Sequence, residues 1–162
     1  MLITSPVTKA KPSDKEAVIE ICKEDYLENG QFSLSSAKLD QMVSRILDKG
    51  EGIIGLIRRN AVIEAIMLMQ ISQFWYSDDY FLEEVLNFVR PAFRRSTNAK
   101  DMIQFAKRCS DELGIPLTIG VVSNERTAAK VALYERQLGK SCGGYFIYSK
   151  KPMQLASVRV AS

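Results

Sequence analysis

The sequence contains no histidine. This absence excludes Ser-His-Asp and Cys-His catalysis, nearly all catalytic zinc sites, and histidine as a general base. Any acid–base chemistry must therefore use carboxylates, tyrosine, lysine, cysteine or water. No metal ion is expected.

Cysteines are few, and long apolar runs are absent. Cys22, Cys109 and Cys142 are widely spaced without a CxxC pair, which argues against a disulfide framework and favours a reducing compartment. No apolar run approaches the roughly 20 residues that span a bilayer. The N-terminus lacks the apolar core of a signal peptide. We therefore expect a cytoplasmic protein with no membrane partner.

The remaining composition is that of one compact domain over residues 1–162. Hydrophobic residues make up 46% of the sequence and charged residues 25%, which suits a globular fold with a real core. The formal net charge of +3 is too small to favour a nucleic acid partner by itself. The loop motifs GxxxxGK[ST] and GxGxxG are absent, as are internal repeats.

Apolar spacing and turn residues predict the element order β-α-α-β-β-β-α-β-α-β. The predicted strands cover residues 7–10, 52–59, 61–71, 80–89, 117–122 and 144–149. The predicted helices cover about 13–29, 35–49, 97–113 and 124–138. Asn60 separates the second and third strands and is a residue type that tolerates a tight hairpin turn.

The segment from Glu83 to Ala99 reads as a buried strand that breaks at Pro91 into an arginine-rich turn and then opens a helix. A helix that begins there would direct unpaired backbone N–H groups, and the positive end of its dipole, at whatever occupies the turn. Arg94 and Arg95 would add charge to these donors. The segment therefore predicts a phosphate-binding turn.

The element order and two local motifs resemble the GCN5-related N-acetyltransferase (GNAT) superfamily. The first motif is the turn just described, and the second is LYER at Leu133 to Arg136. The resemblance implies an α/β (mixed α+β) acyl-CoA N-acyltransferase fold. Its central twisted sheet would be mostly antiparallel, with six to seven strands flanked by four helices. It also implies acetyl-CoA as cosubstrate and direct acetyl transfer to a primary amine.

In that family, the turn after the fourth strand follows the pattern [QR]-x-x-G-x-[GA], whose amides bind the pyrophosphate of acetyl-CoA. This chain keeps the first arginine and the last small residue, but Thr97 stands where the family has glycine. Glycine allows a close approach of the backbone to a phosphate. Hydroxyl donors in the turn would compensate for its loss. The residues assigned to the pyrophosphate are Arg94, Arg95, Ser96, Thr97, Asn98 and Ala99.

The resemblance also assigns the remaining coenzyme contacts. The family's pantetheine arm pairs with the backbone of the fourth strand, which here supplies Asn87, Phe88 and Val89. A backbone N–H near Val89 would polarise the acetyl carbonyl. Asn124 resembles the family's CoA-contacting asparagine, with the alternative that it only caps the last helix.

Three side chains are candidates for the proton transfers. Glu83 lies at the offset before Arg94 where the histone-acetylating branch places its glutamate base, so it is preferred over Glu84, which alternation puts on the opposite face. Tyr134 matches the family tyrosine that contacts the coenzyme sulfur as general acid. The alternatives are that the glutamates are surface charges and that the tyrosine packs in an amphipathic helix.

Acceptor recognition has two candidate regions. Acidic and aromatic residues crowd the hairpin before Glu83, a mixture that would attract a cation and stack on its apolar part. The other region is Gln31 to Ser33 between the first two helices. A small-molecule amine or a protein amine would suit either region, and the hairpin aromatics could instead pack against helices or a second subunit.

Two other functions remain open on these residues. The first is a module that binds CoA or a partner without turnover, with catalysis lost through Thr97. The second is a regulatory or nucleic-acid-binding domain, which is disfavoured because the basic pairs fall in separate elements. The tail over 150–162 could add a strand or exchange between the subunits of a homodimer.

Overall fold

A computed structural model describes residues 5–151, which form a five-stranded sheet with helices on both faces. The sheet strands lie in the order β1-β2-β3-β4-β5, antiparallel except for the last, parallel pair. In chain order the elements are β1 (Val7–Lys9), α1 (Lys15–Asn29), α2 (Ser36–Lys49), β2 (Gly52–Arg59), β3 (Val62–Gln73), β4 (Tyr80–Val89), α3 (Asn98–Leu113), β5 (Leu117–Thr118) and α4 (Thr127–Leu138).

The two faces of the sheet bury two separate cores because β residues alternate in direction. One face packs Leu56, Ile66 and Leu68 under α1 and α2. The opposite face packs Met67, Met69 and Leu82 under α3, with α4 contributing Leu133 and Tyr134 at its margin. Each fully buried aliphatic side chain contributes about 1.5–3 kcal/mol, so the two cores fix the sheet from both sides.

The β2–β3 hairpin turns at Asn60 and Ala61, which both have left-handed φ angles of 51° and 63°. This pair of conformations belongs to the tight turn whose twist matches that of the flanking strands. At the other end of the hairpin, a Cβ on Gly52 would lie 2.1 Å from the Met69 carbonyl oxygen, so only glycine fits there.

The prediction of six to seven strands is not confirmed, because the sheet of residues 5–151 has five. The predicted strand over 117–122 shortens to Leu117–Thr118, and residues 119–122 line a cavity instead. The predicted strand over 144–149 has no regular structure, with Tyr145 81% and Phe146 96% exposed. An apolar run becomes a strand only where a neighbouring strand supplies backbone hydrogen-bond partners. The strand β5 has only two residues and supplies few such partners at its edge. Most of the 150–162 tail lies outside the described residues.

No helix within residues 5–151 is both long enough and apolar enough to cross a membrane.

Candidate active site

Strands β4 and β5 separate and leave a wedge at the centre of the molecule. They pair only at Leu82–Leu117 and Glu83–Thr118. On its other side, β4 pairs Leu86 with Leu68 but Glu84 with Met69, so Val85 is an extra, bulged residue. A bulge bends its strand and re-aims the side chains around it. The edge of β4 beyond Glu83 therefore faces a cavity rather than a strand.

This wedge opens into an acidic cavity of about 500 Å³. Asp25, Glu83 and Glu84 supply its carboxylates, and Lys130 is the one basic residue among its described lining residues. Phe74 and Phe81, stacked with ring centroids 4.6 Å apart, form an aromatic part of the wall. A cavity with this lining attracts a cation that carries an apolar part.

Glu84 has the most unusual carboxyl of the cavity. Burial raises its pKa from 4.5 to about 8, with smaller contributions in the same direction from the charges of Asp25 and Glu83. A backbone hydrogen bond from Gly120 opposes the shift. A carboxyl with a pKa near 8 exchanges protons at neutral pH, as a general base must.

Glu83 lies on the opposite face of β4, as alternation predicted. Its carboxylate accepts hydrogen bonds from Gln70 Nε2 at 2.8 Å and from Ser72 Oγ at 2.7 Å, both on β3. These two donors hold the Glu83 carboxylate in place in the cavity wall.

Tyr134 extends from α4 to the same point. Burial and the charge of Glu84 raise the pKa of its phenol above the ordinary value of 10, so the group keeps its proton. Its oxygen accepts a hydrogen bond from Asn87 Nδ2 at 3.2 Å. Tyr134 is therefore a protonated donor beside a titratable carboxyl.

A second, smaller cavity of about 250 Å³ lies on the other side of Tyr134, between β4, the start of α3 and α4. Its lining carries Arg94, Lys100, Arg126 and Lys130 against the single carboxylate of Glu28. Both cavities are lined by Asn29, Asn87, Lys130 and Tyr134. A basic cavity and an acidic cavity therefore meet at the Tyr134 phenol.

The predicted phosphate turn lies at the basic cavity, where Arg94 is engaged by other groups of the protein. Its guanidinium contacts Glu28 at 2.5 Å, donates to the Val89 carbonyl at 3.0 Å, and lies 5.6 Å above the centre of the Phe88 ring. Arg94 thus joins α1 to the end of β4. The Phe88 side chain is buried in the core under α1 and α2, so Phe88 can offer only its backbone to a ligand.

The rest of the turn divides into exposed and buried residues. Arg95, Ser96 and Thr97 are exposed. The Ser96 hydroxyl donates to the Phe93 carbonyl at 2.6 Å and the Thr97 hydroxyl to Asp101 at 2.7 Å, so both hydroxyls are used within the turn. Ser96 and Ala99 line the basic cavity. The backbone N–H groups at the start of a helix have no intrahelical partner, so they are the groups of this turn that suit an anion.

Asn98 is fully buried, so its side chain cannot reach a ligand in the turn. Its Nδ2 donates to Glu64 at 2.9 Å and its Oδ1 accepts from Arg59 at 3.2 Å. Arg59 and Glu64 also pair directly. This network attaches the first residue of α3 to the β2–β3 hairpin.

Asn124 neither caps α4, whose N-cap is Arg126, nor lines either of these two cavities. Its Nδ2 donates to the Glu28 carbonyl at 3.0 Å, and its Oδ1 accepts from Gln31. Asn124 therefore holds the β5–α4 connection against the end of α1. Gln31 to Ser33 line a separate cavity of about 410 Å³ between α1 and α2.

Sequence reasoning missed Asp25, Arg126 and Lys130. Asp25 follows Val18, Ile21 and Cys22 at helical spacing, so it is a carboxylate on the buried face of α1, and burial raises its pKa. Arg126 begins α4 with a left-handed φ of 54°, a conformation that arginine seldom adopts. The sequence pattern alone could have indicated Asp25, because a charged residue at a buried helical position is unusual. It could not have indicated the left-handed conformation of Arg126.

Within residues 5–151, no three His, Cys, Asp or Glu side chains lie close enough together to hold a metal ion.

No protein-family model and no curated protein matches this sequence. Solved structures do match. A protein from Clostridium acetobutylicum described as a predicted acetyltransferase, crystallised with acetyl-CoA, has a TM-score of 0.73 at 14% identity over 88% of this chain and 94% of that chain. The aminoglycoside acetyltransferase AAC(6')-Iy, bound to a CoA-acetylneamine bisubstrate analogue, has a TM-score of 0.69 at 14% identity over 90% of this chain and 97% of that chain. The integron cassette protein HFX_CASS3, from a salt-marsh metagenome, has a TM-score of 0.69 at 17% identity over 93% of both chains.

Proposed function

We propose that this chain, which has the fold of the GCN5-related N-acetyltransferase superfamily, transfers an acetyl group from acetyl-CoA to a primary amine. The resemblance predicted from the sequence is confirmed at the level of fold, because acetyltransferase structures match it over about nine-tenths of its length. Donor, acceptor class and residue roles are the proposal. Its main support is the meeting of a basic and an acidic cavity at the Tyr134 phenol.

The basic cavity suits a polyanionic coenzyme. Lys100, Arg126 and the N-terminus of α3 would hold the pyrophosphate, since cations and free helical amides both favour phosphate oxygens. The unpaired edge of β4 from Asn87 to Val89 would receive the amide-bearing arm of the coenzyme, as an added strand does. The bound coenzyme supplies the thioester. Thr97 in place of glycine is tolerable because the turn exposes its side chain to solvent.

The acidic cavity suits the acceptor. Glu83, whose carboxylate is held in place by its two donors on β3, would attract an ammonium group. We assign proton removal to Glu84, although the sequence favoured Glu83, because burial brings the pKa of Glu84 to about 8. A base with that pKa accepts a proton from the amine and releases it to water near neutral pH.

Tyr134 would protonate the leaving sulfur. Its phenol keeps its proton, since burial and the charge of Glu84 raise its pKa. It also lies at the junction of the two cavities, where a thioester held on one side would meet an amine from the other. Arranging donor and acceptor in one geometry supplies much of the rate of such transfers.

One observation favours a second function, a CoA-binding module without turnover. Arg94, the first residue of the pyrophosphate motif, lines the basic cavity, but its guanidinium is already paired with Glu28 and the Val89 carbonyl. A weakened phosphate grip would position the thioester less well.

Two measurements separate these functions. Acetyl-CoA at about a hundred times its Kd should stabilise the fold by about 2.7 kcal/mol, which raises the melting temperature by roughly 5–10 °C for a chain of this size. Release of free CoA thiol should then be followed with spermidine, tryptamine, kanamycin and a lysine peptide, after subtraction of the exposed Cys142. Stabilisation with turnover supports the transferase, and stabilisation without turnover on any amine supports the binding module. Absence of stabilisation contradicts both.

Matched substitutions assign the roles. Tyr134→Phe should lower kcat by about a hundredfold or more, the usual contribution of a positioned acid, and leave the Kd for CoA unchanged. Glu84→Gln should lower kcat similarly, whereas Glu83→Gln should mainly raise KM for the amine. The reverse pattern for the two glutamates would restore Glu83 as the base.

A further inference from the structure

Asn87 occupies the boundary between the two cavities and lines both of them. Its Nδ2 donates to the Tyr134 oxygen at 3.2 Å. Its Oδ1 is buried and has no hydrogen-bond partner among the described residues. One end of this carboxamide is therefore used and the other is left unsatisfied.

An unsatisfied buried carbonyl destabilises a fold by about 1–3 kcal/mol. Asn98 shows what a structural asparagine does in this molecule, since it is fully buried and both of its ends are paired. Asn87 has no such compensation. Packing alone would be served better by an aliphatic residue of similar volume, so the contact with Tyr134 is the feature that accounts for the carboxamide.

The direction of this hydrogen bond has a chemical consequence. Because Asn87 donates, it occupies a lone pair of the Tyr134 oxygen and leaves the phenol O–H free to point elsewhere. It also stabilises the phenolate that forms when the proton leaves. In agreement with this, the bond opposes the rise in the pKa of Tyr134 that burial causes.

We propose that Asn87 is a positioning residue that acts through Tyr134, holding the phenol oxygen so that its proton faces the leaving sulfur. This proposal rests on the proposed transferase function. In the step concerned, the C–S bond breaks, its electron pair stays on sulfur, and sulfur takes the phenol proton. Water entering through the cavity then returns a proton to the phenolate.

The test is Asn87→Leu, which keeps the volume and removes both polar ends. We expect the melting temperature to stay the same or rise, because the unsatisfied oxygen is gone. We expect kcat to fall about twofold to thirteenfold, the value of one hydrogen bond of about 0.5–1.5 kcal/mol, with KM for acetyl-CoA unchanged. Asn98→Leu is the matched control and should lower the melting temperature, since it removes the hydrogen bonds of Asn98 to Glu64 and Arg59.

A double-mutant cycle tests whether Asn87 acts through the phenol. In a Tyr134→Phe background, Asn87→Leu should have no further effect on kcat. Once ionised, the carboxylate of Asn87→Asp offers the phenol only acceptors and would draw its proton away from the sulfur, so at a pH above the pKa of that carboxyl kcat should fall at least as far as in Asn87→Leu. This second variant keeps the test available if the leucine variant does not fold.

Three results would overturn the proposal: an unchanged kcat in Asn87→Leu, the same fall in kcat with and without the phenol, or a loss of stability as large as that of Asn98→Leu. Failure of the function itself looks different. A wild type that releases no thiol with any of the four acceptors removes the transferase and this proposal together, whereas an active wild type with any of the three results removes only the role of Asn87.

Discussion

Glu84→Gln should make the protein more stable, by an amount that grows with pH. The carboxyl of Glu84 has a pKa of 4.5 when free and about 8 in the fold, because the cavity buries it. Between these two values the folded state binds a proton that the unfolded chain has released. The wild type therefore loses stability as pH rises through this window. Glutamine carries no charge and escapes that loss.

The size follows from the two pKa values. One pKa unit corresponds to about 1.4 kcal/mol. The free energy of unfolding of Glu84→Gln should therefore exceed that of the wild type by little near pH 5 and by roughly 3 kcal/mol near pH 7. Above pH 9 the excess should reach roughly 5 kcal/mol. The charge of Glu84 also raises the pKa of Tyr134, so the difference between the two proteins reports the substituted position together with the groups coupled to it.

Urea unfolding followed by far-UV circular dichroism is the suitable assay, with the pH stepped across that range. Fluorescence is a poor probe because Trp75 is 93% exposed in the folded state. Glu125→Gln is the matched control, since Glu125 is exposed and its substitution should give a small difference that does not vary with pH. A difference for Glu84→Gln that is equally flat would refute the desolvated carboxyl and with it the proposed base.

Three further outcomes follow from individual residues. The kcat/KM for an amine should rise with pH through a value near 8, the pKa of Glu84 in the free protein, and this step should vanish in Glu84→Gln. Arg126→Gly should raise the melting temperature, because it relieves about 1 kcal/mol of left-handed backbone strain. The same variant should bind CoA about tenfold more weakly in calorimetry, because the positive charge is lost. Ala61→Gly should stabilise the left-handed β2–β3 turn by about 1 kcal/mol, whereas Ala37→Gly in the first turn of α2 should destabilise by up to about 1 kcal/mol. Stability changes of the same sign in the two glycine variants would contradict the turn assignment.

Much of the fold was predictable because its signals are local. The helices and the first four strands follow from apolar spacing, and the glycines after α2 and α3 end those helices in left-handed conformations. The end of the sheet was not predictable, since residues 119–122 and 144–149 have strand-like sequences without a strand to pair with. Pairing is a tertiary property that period and propensity do not encode.

The motifs and the cavities of the structure lie in the same region of the molecule. The turn, β4 and Tyr134 contribute lining residues to two cavities that share part of their walls, while the assignment of the site residues stays a prediction. Arg94 pairs with Glu28 on α1, and Asn98 pairs with Glu64 on the β2–β3 hairpin. Both partners lie far away in sequence, so no local pattern revealed them. The difference between Glu83 and Glu84 depends on burial and on the bulge at Val85, which only the folded chain specifies.

A structure of the protein with acetyl-CoA bound tests the central claim most directly. The thioester sulfur should lie within about 3.5 Å of the Tyr134 oxygen, the amide-bearing arm along the open edge of β4, and the pyrophosphate between Arg126 and the start of α3. A coenzyme bound anywhere else, with the wedge between β4 and β5 unfilled, would contradict the account.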